Sequence, residues 1–125
     1  METVGCSLLE IKSGGEGGRV VSGVIGPYVV GTRLQLRCQV TGGIPTPTVS
    51  WWQGGTLLDD VSELSTPEVT RNSLRMPPLS RSDLLLQLSC VAFNSNLTNP
   101  ISASVTIDIA CEYKIWNNHL NCACV

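Results

Sequence analysis

The sequence predicts an antiparallel β-sandwich, on three observations. Side chains alternate with period two, turn residues punctuate the chain at short intervals, and two inward cysteines bracket an inward tryptophan. The clearest alternation is "TRLQLRCQV", where Leu34, Leu36, Cys38 and Val40 share one face and Arg33, Gln35, Arg37 and Gln39 the other. "ISASVTIDI" repeats it, with Ile101, Ala103, Val105, Ile107 and Ile109 inward against Ser102, Ser104, Thr106 and Asp108. Period two over this length describes strands with one face on a core and the other in water.

Taken in order, the chain opens on a segment whose "SGGEGG" run has the composition of a flexible linker, so residues 1–17 are expected to be a flexible N-terminal segment. From Gly23 the short apolar runs begin. "TVSWWQ", "TLLDD", "SLRMPPL" and "LLLQLSCVAF" fill the space between the two alternating runs quoted above. "TGGIPTP" supplies Gly and Pro between two strands, "WQGGT" a Gly-Gly hairpin, and "FNSNLTNP" another hairpin through Asn and Pro. The count is about seven strands, with no helix and no internal repeat. The closing "ACEYKIWNNHLNCACV" lacks alternation, so residues 110–125 are set apart as an irregular Cys-containing tail and 18–109 as the domain.

Composition bounds the function. A chain of 125 residues is one domain's worth. A net charge of −2, with the eight Lys and Arg scattered, argues against nucleic acid as a partner and against a basic membrane-surface patch. Six cysteines point to an oxidising compartment. The start lacks the basic n-region of a secretory signal, and no stretch has the apolar length of a membrane span. The expectation is an extracellular or cell-surface location as a fragment of a larger ectodomain, with membrane attachment only through parts outside this sequence.

Cys38 faces inward on its strand, and Cys90 does so if Leu84, Leu86 and Leu88 face inward too. A bridge between them across a sandwich core would close a loop worth about 4 kcal/mol in the chain-entropy model. Trp51, inward on a strand between the two, is placed to pack on that bridge. This Cys…Trp…Cys arrangement within short strands is the hallmark of the immunoglobulin fold. The spacing leaves no room for the extra edge strands of a variable-type domain, so the expected type is I or C2. Many such domains carry a tyrosine two residues before the second cysteine; Leu88 stands there, so Leu79 and Leu84 are expected to hold the turn by packing.

The runs "SGVIGPYVVGTRLQLRCQVTGG", "PTVSWW" and "SRSDLLLQLSCVAFNSNLT" resemble an internal immunoglobulin domain of Sidestep-like cell-adhesion and axon-guidance proteins, and nephrin-like adhesion proteins share several of these features. The likeness covers about residues 18–109; Val30 departs from it, where an acidic residue would be expected. The resemblance implies a protein partner, another immunoglobulin-superfamily cell-surface receptor, and no small-molecule substrate or cofactor.

With Trp51 inward, Trp52 points outward, and by alternation Ser89 and Val91 share its face; these three are the partner-binding candidates. The rival is a spacer domain in a tandem array, with Trp52 merely covering its own sheet. Asn96-Leu97-Thr98 is an N-glycosylation sequon on a hairpin loop. The lone histidine, His119, sits in the tail, so no Ser/His/Asp set can be assembled in the domain and catalysis is not expected. Cys111, His119, Cys122 and Cys124 are of the kind zinc prefers, but Cys-x-Cys is tighter than usual zinc spacing. No metal is therefore expected, and Cys6 has no evident partner.

Overall fold

The computed structural model describes residues 3–14, 17–95 and 97–124. Two five-stranded sheets face each other. The first has the order β2–β1–β4–β8–β7, from β1 (Val4–Ser13), β2 (Arg19–Val21), β4 (Gln35–Ile44), β7 (Glu63–Thr66) and β8 (Val69–Arg75). The second has the order β3–β10–β9–β5–β6, from β3 (Gly23–Tyr28), β5 (Thr48–Gln53), β6 (Thr56–Asp59), β9 (Gln87–Phe93) and β10 (Ile101–Ile109). Pairing is antiparallel except between β3 and β10. The architecture is the immunoglobulin-like sandwich, with β6 on one sheet and β7 on the other and no described strand between them.

The inward faces are those the alternation names. Leu36, Cys38 and Val40 of β4, Leu88 and Cys90 of β9, and Val105, Ile107 and Ile109 of β10 are all buried. Cys38 and Cys90 form a disulfide between the sheets, with Cα atoms 6.4 Å apart. Trp51 is fully buried beside it, opposite Cys90 in register.

One segment departs from expectation. Residues 1–17 are not a flexible lead as a whole, because Val4–Ser13 forms β1 along β4. The cause is visible in Leu9-Glu10-Ile11-Lys12, itself a short alternating run. Ile11 sits opposite Cys38 and is only 2% exposed, so β1 completes the core where β4 would otherwise be an open edge. At its far end β1 pairs with β2 in antiparallel register, Ser13 opposite Arg19.

The described part of the tail is likewise regular along its backbone rather than irregular. β11 (Cys111–Trp116) and β12 (His119–Cys124) form a hairpin. Its two-residue turn, Asn117-Asn118, has positive φ at both positions, 51° and 60°, as a twisted tight hairpin requires.

The turn into β9 also differs. Leu79 is buried as expected, but Leu84 is 43% exposed and packs nothing into the core. A short 3-10 turn (Arg81–Asp83) intervenes, so strand parity does not extend back to Leu84. Backbone bonds hold the corner instead: Leu85 N–H donates to Ile107 at 2.7 Å, and Ile107 N–H donates to Leu86 at 2.8 Å. Gly26 marks another tight place, between β3 and β10. Its φ is +108°, and a Cβ there would lie 2.6 Å from the Asp108 carbonyl oxygen.

Candidate recognition face

The outer face of the second sheet collects the residues the sequence singles out. On β5, Trp52 faces outward and is half-buried, directly opposite Ser89 on β9. Ser50 faces Val91 one step along the same pair of strands. On β10, Ser104 and Ser102 continue these rows opposite Ser89 and Val91. On the other side of Trp52 lies Leu57 of β6, 45% exposed.

Short polar contacts fix this surface. The Trp52 indole N–H donates to Ser50 Oγ at 2.8 Å, which satisfies the donor and pins the ring against its own strand. Ser50 Oγ reaches the Val91 carbonyl oxygen at 3.4 Å, and the Ser89 and Ser104 hydroxyls are 2.9 Å apart. The face thus offers one large aromatic ring, two aliphatic side chains and small hydroxyls. None of these groups is ionisable. Covering these groups would desolvate no ion, and a large aromatic set among small neutral residues is the usual anchor of a protein–protein contact.

Trp52, Ser89 and Val91 are brought together on one outer face, and Trp51 and Cys90 lie beneath them. Sequence reasoning missed Leu57. Pairing across the Gly54-Gly55 hairpin, read outward from Trp52, would have placed it. It also missed Asn72, buried at 1% exposure, whose Nδ2 donates to the Val49 carbonyl oxygen at 2.9 Å and to the Asp59 carbonyl oxygen at 3.2 Å. A polar residue at an inward strand position carries no such signal in the sequence.

Asn96 lies outside the described residues, as do the side chains of Cys122 and Cys124. Thr98 of the sequon donates its hydroxyl to Asn94 Oδ1 at 2.8 Å. Cys111 is disulfide-bonded and so supplies no thiolate to a metal in this state. That removes one ligand from the zinc alternative; among the described residues no group of three or more His, Cys, Asp or Glu is placed to hold an ion. Among them too, no helix is long and apolar enough to cross a membrane. Cys6 on β1 is a free thiol, and partial burial raises its pKa above the ordinary thiol value.

The immunoglobulin domain family model matches residues 29–103, more than half of the sequence, and the chain belongs to that family. Among solved structures it is similar to the three-domain ectodomain of mouse nectin-like molecule 4, with 17% identity, a TM-score of 0.65, and coverage of 86% of this chain and 35% of that one. It is also similar to the first two domains of Rst, with 22% identity, a TM-score of 0.63, and coverage of 86% and 51%. Against the titin tandem A164-A165 the identity is 18%, the TM-score 0.52, and the coverage 90% and 54%. The chain therefore spans about a third to a half of the length of these structures, and identities this low speak for the fold alone. No curated protein matches the sequence.

Proposed function

We propose that this chain is a non-catalytic protein-recognition module of a cell-surface adhesion or axon-guidance protein, which binds another immunoglobulin-superfamily receptor through the Trp52 face. One observation carries the reading: a half-buried tryptophan, its N–H held by Ser50, stands on a sheet face whose neighbours Ser89, Val91 and Leu57 bear no charge. An aromatic anchor of this kind is worth about 2 kcal/mol or more when a partner covers it. The resemblance of the strand runs to Sidestep-like and nephrin-like domains supports a receptor as partner. The inter-sheet disulfide supports an oxidising, extracellular setting. In that setting Asn96 carries an N-linked glycan, a reading supported by the sequon and its hairpin loop.

The test is Trp52→Ala against a panel of immunoglobulin-superfamily ectodomains, this chain included. Loss of binding to a panel member, with thermal unfolding unchanged, is expected. The second reading is a spacer that sets distance in a tandem array and contacts no outside partner. Unchanged binding by Trp52→Ala, or no binding by the wild type, would favour it.

A further inference from the structure

The outer face of the first sheet has the opposite chemistry. Lys12 of β1 stands directly opposite Arg37 of β4, and Arg75 of β8 stands opposite Gln35, two residues along β4 from Arg37. Like charges facing each other across antiparallel strands repel. Yet among the described residues no ion pair neutralises any of the three. The ion pair on this face joins Arg71 to Glu63 at 3.0 Å, one row further along. Glu10, the other acid on this face, is opposite Gln39 rather than a cation.

Arg37 is the unusual member. It is 9% exposed, and its Nε is buried without a hydrogen-bond acceptor. An Nε–H held this way lacks the acceptor that nearly every buried donor has. Three unneutralised cations in adjacent positions make a local concentration of positive charge on a chain whose net charge is −2.

We propose that this face binds a linear sulfated polysaccharide, with sulfate groups met by Lys12, Arg37 and Arg75. The surroundings favour a glycan over an acidic peptide. Gln35, Gln39 and Ser73 add hydrogen-bond donors suited to sugar hydroxyls and sulfates, and no aromatic anchor of the kind a peptide contact uses stands among them. The site lies on the sheet opposite to Trp52 and stands or falls independently of the recognition face.

The test uses the full chain and a heparin-derived oligosaccharide, with affinity measured across a salt series. Binding is expected at about 50 mM NaCl and should weaken steeply with salt, as counterion release requires. The double variant Lys12→Gln/Arg75→Gln, both at positions not fully buried, should bind about tenfold more weakly or worse and show a shallower salt dependence. Arg81→Gln removes the same kind of charge outside this face and should bind as the wild type does. Arg37→Gln should lose binding while its thermal unfolding reports whether the fold is intact. The proposal is overturned if the wild type fails to bind at low salt, or if the double variant binds equally. It is also overturned if the desulfated oligosaccharide or an oligoglutamate peptide binds as tightly.

Discussion

The indole N–H of Trp51 donates to the backbone carbonyl oxygen of Asn72 at 3.0 Å, tying β5 of one sheet to β8 of the other. Asn72 in turn lies opposite Cys38 in register, and Cys38 is bridged to Cys90, the neighbour of Trp51 across β5 and β9. The disulfide, the indole and the buried amide therefore form one closed cluster at the centre of the sandwich. The Asn72 side chain completes it by donating to Val49, two residues before Trp51. Dispersion contacts, a covalent link and hydrogen bonds thus act on the same pair of sheets, and the outward position of Trp52 follows from the inward position of Trp51.

Trp51→Phe should destabilise by about 3 kcal/mol. The smaller ring leaves a cavity and removes the donor to a buried carbonyl, and each effect costs between about 1 and 3 kcal/mol. Urea denaturation should show a lower midpoint with an unchanged slope.

Replacing both bridge cysteines, Cys38→Ala/Cys90→Ala, should cost about 4 kcal/mol, since the bridge closes a loop between residues 52 apart. Reduction of the wild type in denaturant titrations should give a loss of at least this size, since it also opens the disulfide at Cys111.

Ile11→Ala should cost about 2 to 4 kcal/mol, as expected for a truncated core side chain. A similar cost for Leu8→Ala is not expected, because Leu8 is 50% exposed on the same strand. Comparing the two by thermal unfolding checks that β1 belongs to the sandwich. Equal and negligible effects would return residues 4–13 to the status of a lead segment.

Much of this fold is legible from alternation, and the failures have physical causes. Cys38, Trp51 and Cys90 could be placed because long regular strands keep their parity, so an inward cysteine predicts the facing of its neighbours. Leu84 could not, because a 3-10 turn and a left-handed Leu85 (φ 62°) break parity just before β9. β1 was hidden because its alternating stretch is brief and runs into a Gly-rich sequence with the composition of a linker. Asn72 and Arg37 were hidden for another reason. Their burial is produced by strands distant in sequence, and neither residue type announces it. Within the candidate face, Trp52, Ser89 and Val91 followed from parity, whereas Leu57 required the register of a hairpin.

Cys6 should alkylate more slowly than an exposed cysteine at mildly alkaline pH, because burial favours its neutral thiol and raises its pKa in the folded chain. The sign for stability follows. A folded-state pKa above the unfolded one gives stability that is complete below the unfolded value and is lost as pH rises through the folded value. Iodoacetamide labelling followed by mass spectrometry, native against urea-unfolded, checks the rate.

The recognition reading is tested most directly by oxidative footprinting of the three tryptophans, with the chain free and in complex with a receptor ectodomain that captures it. Trp51 is fully buried and Trp116 is 73% exposed, so they serve as internal references for Trp52 between them. The account predicts that Trp52 oxidation falls on complex formation while Trp51 stays protected throughout. A Trp52 that oxidises equally in both states, or the absence of any capturing ectodomain, would contradict it and leave the domain as a spacer.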